Sequence, residues 1–208
     1  SSQGERLTPT CLLDWGRSMY LDRLSTSLCG IPLKTPVLTA SGTFAYGVEF
    51  ESLVNWTAIG GIVVKGLSRQ PIKGNPPPRL WETSSGMMNS IGLQNIGVEA
   101  FVRDKLPQLR RLPVPVFANV FGYTPEDYLE AVRYLEDHDG LAAYEINVSC
   151  PNTSHGGIFF SSDPALLGSL VSRIRAVARR PLMVKLSPNV ARIEPLARAA
   201  EEAGADAV

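Results

Sequence analysis

Apolar positions along this chain switch repeatedly between a period of two and a period near 3.6, which predicts strands alternating with helices. Residues 23–34 read as a hairpin: Leu24, Thr26 and Leu28 alternate with Ser25 and Ser27, Gly30 turns, and Ile31 and Leu33 return. Further strands are expected over 36–40, ending in Ser41-Gly42, over 62–66 and over 116–120. The next lies in Glu145-Ile146-Asn147-Val148-Ser149-Cys150-Pro151-Asn152 and breaks into a loop at Pro151. There Asn147 and Ser149 share one face and Ile146 and Val148 the other. Residues 182–186 give another strand, and 205–208 begin one more.

Helices fill the intervals. A short one is expected around 50–54 and a longer one over 98–109. Thr124-Pro125-Glu126-Asp127 combines an N-cap, a proline at the first helical position and acids at the positive end of the helix dipole. Tyr128, Val132 and Leu135 give that helix its buried face. Asp163-Pro164 starts the next, with Leu166, Leu167, Leu170, Val171, Ile174 and Val177 facing inward, and a last helix over 192–203 stops at Gly204. Residues 67–96 are far longer than the usual connection of about two to six residues, and long loops usually carry function. This one holds Asn75-Pro76-Pro77-Pro78 and two short extended pieces, 79–82 and 87–90.

Short apolar strands separated by helices imply a parallel sheet covered on both faces. Two closures fit, a doubly wound open sheet and an eightfold barrel. Ala40-Ser41-Gly42-Thr43 is not the glycine fingerprint that marks the first turn of the open sheet. Polar residues lie instead on several strands, as in a barrel whose site collects groups from many strand ends.

Composition narrows the function classes. With 44% hydrophobic and 19% charged residues the chain is of globular type. Its 20 Lys and Arg balance 20 Asp and Glu, so no basic stripe points to nucleic acid. No apolar run reaches the about 18 residues that a membrane helix needs. Three widely spaced cysteines fit neither a disulfide framework nor a zinc site, which points to free thiols, no metal and a reducing, cytoplasmic setting. No secretory signal is visible. Residues 1–18, rich in Ser, Gly, Thr and Pro, read as a flexible N-terminal segment, with the native start upstream or at Met19.

Lys65, Asn119, Asn147 and Lys185 each interrupt an otherwise apolar strand. Burying a cation or an amide without partners costs several kcal/mol. Any one of them is as easily satisfied by a neighbour as by a ligand. Four on four strands point to a polar ligand across a barrel mouth. Amides donate and accept, as an imide edge demands, and lysines favour an anion or a ring that becomes anionic, such as a reduced flavin. Cys11 and Cys29 read as small buried hydrophobes. Cys150 is presented by a loop among hydrogen-bonding residues, where a tuned thiol can act as a base. His155 reads as a solvated loop side chain, Gly156-Gly157 as a hinge. Gly92, in Asn89-Ser90-Ile91-Gly92-Leu93-Gln94-Asn95, permits close backbone approach to a ligand or simply a turn.

These motifs identify a resemblance. Thr39-Ala40-Ser41-Gly42-Thr43-Phe44, Val64-Lys65-Gly66, residues 89–95, Asn147-Val148-Ser149-Cys150-Pro151-Asn152 and Val184-Lys185-Leu186 occur in the order found in class 1 dihydroorotate dehydrogenases, most closely the NAD-linked B branch. The resemblance covers nearly all of 19–208. It implies a (β/α)8 TIM barrel of α/β class, of which this chain holds about the first five to six βα units, and a single FMN-binding domain over 19–208 whose C-terminal strands are absent. It implies oxidation of dihydroorotate to orotate in pyrimidine biosynthesis, with Cys150 removing the C5 proton and hydride passing from C6 to flavin N5. Substrate would be held by Lys65, Asn89, Ser90, Ile91, Gly92, Leu93, Asn147 and Asn152. FMN would be held by Ala40, Ser41, Gly42, Lys65, Gly66, Asn119, Asn147 and Lys185. Electrons would leave through a partner subunit carrying FAD and a [2Fe-2S] cluster, on a homodimer of the catalytic chain. Two other readings are a flavin domain like that of dihydropyrimidine dehydrogenase, where a histidine follows Cys-Pro in place of Asn152, and a non-catalytic truncated flavin-binding module.

Overall fold

The computed structural model describes residues 23–149 and 160–208. The expected flexible segment 1–18 and the expected roles of Cys150, Asn152, His155 and Gly156-Gly157 lie outside the described residues.

The described residues open with an antiparallel hairpin, β1 (Thr26–Leu28) and β2 (Ile31–Leu33). Both turn residues have positive φ, Cys29 at 51° and Gly30 at 77°. Two such residues in succession make the turn whose twist matches paired strands. A second hairpin, β4 (Leu80–Thr83) and β5 (Gly86–Asn89), stands in the long connection.

The centre is a four-stranded parallel sheet, β3 (Ile62–Val63), β6 (Val116–Val120), β7 (Ala143–Asn147) and β8 (Leu182–Lys185), in that order. Single parallel bridges extend it at both edges, Leu38 to Gly61 and Met183 to Ala207. Strand order thus follows chain order, without the reversal that a doubly wound sheet requires.

Side-chain alternation divides the sheet into two unlike faces. Ile62, Val64, Val116, Ala118, Val120, Tyr144, Ile146, Leu182 and Val184 pack in one core with the helices. These are α1 (Gly97–Ala100), α2 (Leu106–Leu109), α3 (Pro125–Glu136), α4 (Pro164–Arg175) and α5 (Glu194–Glu202). Val63, Phe117, Ala143 and Met183 face the other way and pack on Leu28, Ile31 and Leu33 of the first hairpin. The sheet is thus covered on both faces, as expected, by helices on one and by the hairpin on the other. Thr124 caps α3 in a reciprocal box with Asp127, as Thr-Pro-Glu-Asp predicts. Between α1 and α2 the helix widens into a π turn, Phe101–Lys105, because Pro107 offers no N–H and its ring crowds the preceding turn.

Four local expectations change. Residues 36–40 keep one bridge rather than a strand, because Pro36 has no N–H to give and the Thr39 hydroxyl, not a carbonyl, accepts the Val63 N–H at 3.0 Å. The helix expected at 50–54 is a 3₁₀ turn, Val48–Phe50, whose bonds keep an i to i−3 pattern. The strand expected over 62–66 leaves regular pairing after Val63, for a reason given below. Leu166 is exposed, since Leu167, Leu170, Val171 and Ile174 alone complete the buried stripe of α4 and Leu166 lies one step round the helix.

Candidate functional site

The C-terminal ends of the parallel strands border a cleft of about 520 Å³. Lys65, Asn119, Asn147 and Lys185 all line it. Each reaches it from a different strand end. Asn147 is the last residue of β7 and pairs with Lys185, the last of β8.

Lys65 arrives there through a bulge. Val63 pairs with Phe117 and Leu67 with Val120, so four steps along one strand match three along its neighbour. The Lys65 N–H leaves the ladder and donates to Ala45 O at 2.7 Å. Gly66 is needed within the bulge, since a Cβ there would lie 2.9 Å from Asn119 Oδ1 and 3.1 Å from the Phe121 ring. Burial, and then the nearby Arg79 charge, push the Lys65 ammonium below its ordinary pKa. Among the described residues no hydrogen bond or ion pair reaches its Nζ, so this is a half-buried cation facing a cavity.

Beneath it lies a polar hub centred on Ser41. Its hydroxyl donates to Glu145 Oε1 at 2.9 Å and accepts from Asn119 Nδ2 at 3.3 Å and Lys185 Nζ at 3.3 Å. A serine hydroxyl has one proton and two lone pairs, so these contacts use all of it. Asn119 Nδ2 also donates to Glu145 Oε1. Only the NH₂ side of the amide can face a carboxylate, which fixes Asn119 Oδ1 on the opposite side. That oxygen is buried and, among the described residues, has no hydrogen-bond partner.

The far wall is the loop after β5. Asn89, Ser90, Ile91, Gly92 and Leu93 line the cleft. Asn75 clamps them: its Nδ2 donates to Ser90 O at 2.8 Å and its N–H to Ile91 O at 3.0 Å. Gly92 has φ +74°, and a Cβ there would lie 2.8 Å from Asn75 N. The close approach expected at Gly92 is therefore made by the chain itself. Asn95 ties the ends of the long connection together, donating to Ser68 Oγ at 2.8 Å and accepting from the N–H of Gly97 at 2.8 Å.

Ser41, Gly42 and Gly66 line the cleft as well, while Ala40 does not: it is exposed, and its carbonyl accepts the Thr43 N–H at 3.0 Å. Sequence reasoning missed Glu145, Asn75, Gln94, Phe121 and Tyr123. Glu145 had a signal, the period of two that places it on the face of Asn147. Asn75 had none, because its role depends on a fold-back across the Pro-rich loop.

The family model for dihydroorotate dehydrogenase matches residues 23–208. The chain belongs to the dihydroorotate dehydrogenase family. It is 68% identical over 186 residues to a Solibacter usitatus protein named "Putative dihydroorotate dehydrogenase A (fumarate)". It is 49% identical over 185 residues to the "Dihydroorotate dehydrogenase B (NAD(+)), catalytic subunit" of Pelobacter propionicus, and 51% identical over 185 to that of Geobacter sulfurreducens. Each match covers 89% of this chain and 61% of the relative, so the chain spans about three fifths of the length of the curated relatives it matches. The family resemblance drawn from the motifs is thus established. The names of the dihydroorotate dehydrogenase relatives divide between fumarate and NAD as acceptor.

Proposed function

We propose that this chain is the N-terminal part of an FMN-dependent (β/α)8 barrel enzyme that oxidises dihydroorotate to orotate in pyrimidine biosynthesis. The observation that carries the reading is the convergence of Lys65, Asn119, Asn147 and Lys185, from successive strand ends, on one cleft walled by residues 89–93. Chain-ordered parallel strands with helices on one face are the wall expected of a barrel.

The residues present fit a flavin. Asn119 Oδ1 is a buried acceptor awaiting a donor, and an isoalloxazine offers N3–H beside two carbonyl acceptors. Lys185, held by Ser41, suits the edge of the ring that gains negative charge. Gly66 leaves the room that a side chain would take. Ser41, Gly42, Lys65, Gly66, Asn119, Asn147 and Lys185 would hold the cofactor, and Ala40, which does not line the cleft, would not. When bound, FMN supplies the hydride acceptor.

The chain's own residues do the rest. Lys65 meets the substrate carboxylate, and the amides of Asn89, Asn147 and Asn152 meet the pyrimidine edges, beside the backbone of 90–93. Cys150 takes the C5 proton as a thiolate base. The fixed loop wall lowers the entropy lost on binding. We assign the chain to the B branch, with electrons passing to NAD through a partner subunit bearing FAD and [2Fe-2S], on a cytoplasmic homodimer. The 68% identical relative favours a second reading, fumarate as acceptor.

Anaerobic titration of the purified whole enzyme, of which this chain is a part, tests the assignment. The expected result is a bound-flavin spectrum that bleaches on adding dihydroorotate and not dihydrouracil. Recovery of colour with fumarate alone would select the second reading. A colourless protein, or one that dihydroorotate does not bleach, overturns the proposal.

A further inference from the structure

Glu145 is a half-buried carboxylate on the face of β7 that also carries Asn147, opposite Asn119 in the β6–β7 register; it borders a neighbouring cavity with Met183 and Lys185 and reaches the cleft through Ser41 and Asn119. It makes two of the contacts that define the hub: Ser41 Oγ donates to it at 2.9 Å, and so does Asn119 Nδ2. Lys185 Nζ reaches the same serine at 3.3 Å. A cation and a carboxylate therefore share one hydroxyl, directly under the buried, partnerless Asn119 Oδ1. The direction of every bond is set by the carboxylate, which can only accept. Replace it with a group that also donates, and the Asn119 amide is free to turn its NH₂ toward the cleft.

We propose that Glu145 is a positioning residue of the cofactor site: it holds Asn119 with its oxygen toward a hydrogen-bond donor of the flavin, and it offsets the Lys185 charge beneath the ring. The inference rests on the flavin reading above. Its consequence is electrostatic. A fixed negative charge near a ring that becomes more negative on reduction holds the midpoint potential down, so the Lys185 cation stabilises the reduced form less than it would alone. Lys185 and Glu145 offset each other through Ser41, and Lys65 remains, among the described residues, the cleft's uncompensated cation.

The test is the midpoint potential of bound FMN, read spectroscopically in the holoenzyme and in E145Q and E145D. E145Q keeps the shape and removes the charge, and is expected to favour reduced over oxidised flavin about tenfold more than wild type. That is an upward shift of about 30 mV for a two-electron couple. E145D keeps the charge and is expected to stay nearer the wild-type potential. An unchanged potential in E145Q, or equal shifts in both variants, overturns the inference while leaving the flavin reading intact. Wild-type protein without flavin overturns both.

Discussion

Lys65 carries a charge that its surroundings oppose, through burial first and Arg79 second. An anion placed against it reverses both effects, so binding should raise its pKa toward the ordinary value. Orotate binding is therefore expected to take up protons at alkaline pH, between the lowered pKa of the free protein and the restored one of the complex. Calorimetry in buffers of different ionisation enthalpy measures the uptake, and K65M should abolish it. At this scale the sequence was most informative. A lysine or amide interrupting an apolar strand is visible without coordinates, and all four such residues meet at the cleft. Glu145 escaped notice because its strand opens two residues earlier than the alternation suggested, at Ala143, so it read as a flank.

Among elements, the loop after β5 depends on its own rigidity. Gly92 must hold φ +74° against Asn75, a conformation that costs a residue with a Cβ about 1–2 kcal/mol before any clash. G92A is expected to displace residues 90–93 and raise KM for dihydroorotate about tenfold, the equivalent of about 1.4 kcal/mol, while bound FMN keeps its spectrum. Steady-state kinetics beside the flavin spectrum checks both halves. The elements themselves were legible where one local signal dominated. The Thr124 cap, the Val116–Val120 strand and the first hairpin follow from short-range chemistry. Where pairing depends on a distant partner the pattern was silent. Thr39 replacing a carbonyl, the π turn before Pro107 and the bulge at Gly66 all arise from contacts or crowding that periodicity does not encode.

Across the whole molecule, function and stability occupy opposite ends of the sheet. Away from the cleft, the buried Glu136 at the end of α3 accepts the backbone N–H groups of Arg179 at 3.0 Å and Arg180 at 3.3 Å, and pairs with the Arg180 guanidinium at 3.3 Å. Burial pushes its carboxyl upward, but these donors prevail and hold it below the ordinary carboxylate value. The same guanidinium donates to the phenol of Tyr144, whose own pKa burial drives upward. E136A leaves Arg180 poorly compensated and is expected to cost about 3 kcal/mol. For a domain of this size that is a fall in Tm of roughly 6–12 °C, with KM for dihydroorotate unchanged. Because the folded-state pKa is depressed, the contribution is complete above the unfolded value of about 4.3 and is lost as pH falls through the folded one. Thermal melts from pH 7 down to pH 3 should show the gap between variant and wild type closing.

The bulge that delivers Lys65 also resets the inside–outside parity of the chain. Before it, odd-numbered residues such as Val63 face away from the helices; after it, Leu67 is packed among them. Drawn into regular pairing at the same chain length, this stretch would swing Leu67 into the ligand space, whereas deleting one residue between 64 and 66 would keep it among the helices. The phase is therefore set by the number of residues in the bulge, and no substitution changes it.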